Sequence, residues 1–157
     1  MMHRSKPHFR TPKGVLYDEL PRYKYRVMSI ARFDIEPENE LDLGGKEGLQ
    51  IRNYDGTIDL VKVTSRVVLL LPGYAWNGAD WSSDKHFLDG SMVHDPLCQL
   101  MNTGQMSPHN HRRVTAIMAA ENAKHGMSLF AQIKTRYAVN AHWRHKVKSM
   151  PWPAVRK

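Results

Sequence analysis

The spacing of apolar residues changes once along this chain, near Pro72-Gly73, and that change restricts the fold more than any other feature. Upstream, apolar residues alternate with polar ones, the two-residue period of a strand. Downstream they recur every three to four residues, the period of a helix. Strands in the first half and helices in the second predict an α+β fold, a small antiparallel sheet packed against about three helices.

The segments follow from this. The run Lys24 to Phe33, with Tyr25, Val27 and Ile30, predicts a strand. The acidic stretch from Glu36 to Gly48 predicts a loop around Gly44-Gly45. Leu49 to Asn53 predicts a short strand that pairs across an Asp55-Gly56 hairpin with Thr57 to Val63. There either Leu60 or Val61 faces inward. Arg66 to Leu71 is a continuous apolar run that predicts a buried strand ended by Pro72-Gly73.

Three helices are expected next. Ser91 is a candidate cap for the first, with Asp95 capping and Pro96 at the first helical position as the other possible start. Ser107-Pro108 opens the second, Gly126 stops it, and Val114, Ile117, Met118 and Glu121 share one stripe. Ser128 caps the third, whose expected buried face is Leu129, Phe130, Ile133, Tyr137 and Ala141.

At 157 residues the chain suits one domain, expected over residues 23–143, with a basic, proline-bearing arm at 1–22 and a basic tail at 144–157. Net charge is +8, concentrated at the two ends. Such ends attract anionic partners, whether nucleic acid or another anionic surface. No apolar run approaches the roughly 20 residues of a membrane span. Cys98 is the only cysteine, so an intrachain disulfide is excluded.

Residues able to do chemistry gather between Leu70 and Leu100. His94 and Asp95 are adjacent. On a helix they point about 100° apart, so they would serve neighbouring tasks, such as a base and a metal ligand. Glu121, a carboxylate on an apolar stripe, needs a partner and could orient His94 across the helix pair. Asn77 and Asp80 lie in a turn able to shape a pocket, between Trp76 and Trp81, which would form either a substrate wall or a lid on the core. Cys98, one turn after His94, could join His109 and His111 in a zinc set. No phosphate-binding glycine loop, serine elbow or H-E-x-x-H is present.

The turn Pro72-Gly73-Tyr74-Ala75-Trp76-Asn77-Gly78-Ala79-Asp80-Trp81, the dyad His94-Asp95-Pro96-Leu97-Cys98 and the block Arg136-Tyr137-Ala138-Val139 resemble a small phage and prophage family, a domain of unknown function. Its members carry a Pro-x-Gly-aromatic-x-x-Asp-Gly-Ala-Ser-x-Pro turn, a His-Asp-x-Leu-Tyr helix, a helix with an Ala-Asp pair and a Tyr-Arg-Ala-Val helix. The likeness covers about residues 66 to 143. Here Asn77 and Asp80 replace the family's turn Asp and Ser, Cys98 replaces its Tyr, and the second helix has no Asp near Thr115. The His-Asp helix is also similar to calcium-dependent secreted phospholipases, in which the His activates water and the Asp binds calcium. His94 and Asp95 match those positions, while the disulfides and calcium loop have no counterpart.

These resemblances imply a bacteriophage structural or virion-associated protein of the tail or portal region. It would bind neighbouring structural proteins or itself through its arms, in the virion or host cytoplasm. The alternatives are a hydrolase of the host envelope, with His94 as base and Asp95 as ligand to a divalent cation (calcium or zinc), and a basic binder of nucleic acid or another anionic ligand.

Overall fold

The structure is a computed structural model that describes residues 9–20, 25–77 and 85–149, with side chains to residue 145. It is an α+β fold: strands fill the first half and three helices the second. In chain order these are β1 (Phe9–Arg10), β2 (Leu16–Glu19), β3 (Tyr25–Val27), β4 (Ala31–Asp34), β5 (Leu49–Arg52), β6 (Asp59–Val63), β7 (Val67–Leu70) and β8 (Ala75–Trp76), then α1 (Leu88–Asn102), α2 (His111–Lys124) and α3 (Leu129–Ser149).

The single sheet expected from the sequence is two antiparallel sheets, ordered β1-β2-β3-β8 and β4-β7-β6-β5. They meet along a shared seam. The run expected as one strand over Lys24 to Phe33 breaks after Val27 and resumes at Ala31. Its partner breaks at the same level, at Pro72-Gly73. The amide of Val27 donates to the Tyr74 carbonyl (2.8 Å), and the Gly73 amide donates to the Val27 carbonyl (2.8 Å), so pairing continues through the bend. Gly73 has φ 107°, a conformation that side chains other than glycine's rarely adopt. Pro72-Gly73 therefore turns the chain from one sheet into the other.

Burial alternates as the period demands. Ala31 and Phe33 face inward between exposed Arg32 and Asp34, and β5 repeats the pattern. Val61 and Val63 are the buried set of β6, and Leu60 is only half-covered. A bulge between Ile51 and Arg52 shifts the hairpin register, so Arg52 faces Asp59 and pairs with it at 3.0 Å.

Residues 9–19, expected within a free arm, belong to the fold. They form β1 and β2, and they bury Thr11, Val15 and Tyr17. The first helix also differs from expectation. It starts at Leu88, placing Ser91 and Pro96 inside it. Ser91 caps nothing: its buried hydroxyl donates to the Leu88 carbonyl and accepts from the Trp76 indole N–H (3.1 Å). Gly90 lies where α1 meets α2. A Cβ there would stand 2.0 Å from Asn122 Oδ1 and 2.7 Å from its Cγ. Gly90→Ala is therefore expected to cost roughly 2 kcal/mol by overpacking. Asn122→Ala in the same chain should recover part of that loss, a non-additivity that thermal melts of the two single variants and the double variant would measure.

In α2, Val114, Ile117, Met118 and Glu121 are all buried, as their shared stripe implies. Ser107 accepts from the His109 amide at the start of the preceding 3₁₀ turn, and Gly126, at φ 88°, follows the helix. In α3 the expectation is inverted. Among its described side chains, Thr135, Val139 and Trp143 are the buried ones, one turn apart on the side packed against α2. Leu129 (71%), Phe130 (77%), Ile133 (61%) and Tyr137 (76%) are exposed, and Ala141 is exposed with them. The helix has two apolar stripes, and the one carrying Trp143 takes the core.

Candidate functional site

Two polar clusters sit on α1, and they do not share residues. The first is built on its middle turn. His94 and Cys98 are four residues apart and so lie one above the other. Cys98 Sγ is 3.5 Å from His94 Nδ1 and 3.4 Å from Nε2, against the flat of the ring. Asp95 turns away, as neighbours on a helix must. Its Oδ1 is 3.9 Å from His94 Nδ1, and its Oδ2 accepts the Asn77 amide at 3.1 Å. Asp95 thus ties the end of β8 to α1, and Asn77 contributes its backbone to that contact.

Burial works against a charged His94, but the Cys98 sulfur and the Asp95 carboxylate outweigh it, and the ring is raised from 6.5 to about 10. The pH consequence has a definite sign. An unfolded histidine titrates near 6.5, so the stability from this shift is fully present below that pH and is lost as pH rises through about 10. The wild-type melting temperature should fall between pH 7 and 10 more steeply than that of His94→Gln. Parallel melting curves would contradict the assignment.

The second cluster was not anticipated. Asp89, in the first turn of α1, is fully buried and accepts the Lys13 amide at 3.0 Å. Glu121, buried on α2, meets Lys124 Nζ at 3.2 Å and Lys13 Nζ at 4.0 Å. His125 Nε2 lies between the two carboxylates, 3.5 Å from Glu121 Oε2 and 3.9 Å from Asp89 Oδ2. Among the described residues, Asp89 Oδ1, Glu121 Oε2, Asn122 Oδ1 and His125 Nε2 have no hydrogen-bond partner. The cluster joins three segments: the β1–β2 turn, the start of α1 and the end of α2. Glu121 on an apolar stripe, with His125 one turn after it, was its sign in the sequence, while Asp89 and Lys13 come from distant stretches.

The expected site residues are thereby distributed. Glu121 finds Lys13, Lys124 and His125, and its contacts do not include His94. Trp76 is a core residue at 1% exposure, its ring tilted against that of Tyr25 with centroids 5.1 Å apart. Asp80 and Trp81 lie outside the described residues. His111 is held by the Pro108 carbonyl at 3.2 Å. Burial, followed by repulsion from the neighbouring Arg112, His109 and Arg144 side chains, keeps its pKa below the ordinary value even though that bond opposes the shift. Among the described residues no three His, Cys, Asp or Glu side chains are grouped to hold a metal ion. That includes the suggested zinc set of His94, Cys98, His109 and His111, and any set around Asp95. Among the described residues, too, no helix is long and apolar enough to cross a membrane.

Comparison with family models, with curated proteins and with solved structures gives no match. Function must therefore be argued from the chain's own surfaces and contacts.

Proposed function

We propose that this chain is a bacteriophage structural or virion-associated protein, of the tail or portal region, that works by binding neighbouring subunits and not by catalysis. The observation that carries this reading is the outer face of α3. Four large apolar side chains stand exposed on one helix that already packs on α2 by its other face. Isolated exposed apolar residues are ordinary, but a contiguous stripe marks an interaction surface. The resemblance of residues 66–143 to a phage family supplies the setting. Because residues 9–19 are built into the sheet, the binding surface moves from the N-terminal arm to α3.

The side chains that an enzyme reading would use are engaged inside the fold. Asp95 secures the Asn77 backbone, and Glu121 is neutralised by lysines. The hydrolase reading keeps one observation in its favour, the contact of His94 with Cys98 on a half-buried face. Quantitative mass spectrometry of purified particles tests the proposal. A stoichiometric copy number supports it, and absence of the chain from particles rejects it.

A further inference from the structure

We propose that the outer face of α3 is a self-association surface, on which a second copy docks antiparallel about a two-fold axis at Ile133. This inference rests on the proposed assembly role and names the first partner of that surface.

The argument begins with where each side chain falls around α3. At about 100° per residue, Leu129, Phe130, Ile133, Tyr137 and Ala141 occupy one sector of roughly a third of the helix. Thr135, Val139 and Trp143 occupy the sector facing α2. The exposed sector changes character along its length. From residue 129 to residue 141 it is apolar except for the half-buried Asn140, and it continues as Arg144. α3 holds no Asp or Glu at all, so the stripe cannot neutralise its own cationic end.

The large apolar residues are centred on Ile133, with Leu129 four residues before it and Tyr137 four after. A two-fold axis at Ile133 lays Leu129 and Phe130 of each copy against Tyr137 of the other. Every large apolar side chain of the stripe is then covered. In a parallel pair, Arg144 would face Arg144. In the antiparallel pair the two Arg144 positions lie about 33 Å apart, from eleven residues on each side at about 1.5 Å per residue. That is several times the screening length of about 8 Å at physiological salt. Antiparallel docking therefore buries the apolar part and separates the cations.

The area suffices for a reversible dimer. At the observed exposures the four side chains offer on the order of 500 Å² per protomer, and the pair about 1,000 Å², the lower bound of specific interfaces. Lys134 and Arg136 flank the stripe and face their own counterparts across the axis, a repulsion that salt relieves. Salt dependence thus separates this partner from an acidic protein, a nucleic acid or an anionic membrane, all of which bind more weakly as salt rises.

The test uses the full chain. Sedimentation equilibrium should show a monomer–dimer equilibrium that tightens between 50 and 500 mM NaCl. Ile133→Asp and Tyr137→Asp should each weaken it at least tenfold without changing the melting temperature of the dilute monomer, since both side chains are exposed. In a Cys98→Ser background, Ile133→Cys lies on the axis and should form an intermolecular disulfide under mild oxidation. Ala141→Cys, about 24 Å from its mate, should not. A monomer at every salt and concentration overturns the inference. So does a dimer that dissociates as salt rises, or equal cross-linking at positions 133 and 141. These outcomes leave the particle measurement to judge the broader role independently.

Discussion

Trp76→Ala is expected to lower stability by about 4 kcal/mol, a fall in melting temperature of roughly 8–16 °C for a chain of this size. The indole is buried where the first sheet meets α1. It packs against Tyr25 and sits 6.0 Å from Tyr17, centroid to centroid, while its N–H donates to Ser91. Truncation opens a cavity beneath the seam between the sheets and leaves the Ser91 hydroxyl without its donor. Trp76→Phe keeps most of the ring packing and loses only the N–H, so it should cost less than half as much. Thermal or denaturant unfolding measures both. A Trp76→Ala protein as stable as wild type would mean that the ring is not in the core and would restore its reading as a pocket wall.

Glu121→Ala is the second large effect, at about 3–5 kcal/mol, because it removes one member of a buried ionic group and leaves the others uncompensated. Lys13 and His125 would both lose the carboxylate nearest them, with Asp89 still buried beside them. Glu121→Gln keeps the shape and should fall between wild type and Ala. The same variants decide what Glu121 does. If it holds the β1–β2 turn to the helices, the amide signals of Lys13 and its neighbours should move in Glu121→Ala while the NMR titration of His94 stays as in wild type. A displaced His94 titration would instead bring Glu121 back to the His94 site.

The fold class was legible because period is a local property. Alternation at Ala31 to Asp34 and at Leu49 to Arg52, and the spacing of Val114, Ile117 and Met118, needed no knowledge of the rest of the chain. The bend joining the two sheets was half-legible, since Pro72-Gly73 announces a stop but not that the partner strand breaks opposite it. The N-terminal strands were not legible. β1 has two residues and β2 four, and they exist only by pairing with one another and with β3.

The α3 face shows a different limit. Periodicity finds apolar stripes, and this helix has two. Which one packs inward depends on the complementary surface of α2, a tertiary matter that local pattern does not contain. The same holds for the buried charges. His94 and Cys98 could be paired from their spacing of four, but Asp89, Lys13 and His125 meet only after three segments have folded together.

The central claim is that the chain functions through the outer face of α3. It is tested most directly by measuring how much of the chain is incorporated into purified particles when wild type is replaced by Ile133→Asp. The account predicts stoichiometric incorporation of wild type and of His94→Ala, and at least a tenfold loss for Ile133→Asp, whose folding is unchanged because that side chain is exposed. Incorporation of Ile133→Asp at the wild-type level, or a loss confined to His94→Ala, would contradict it.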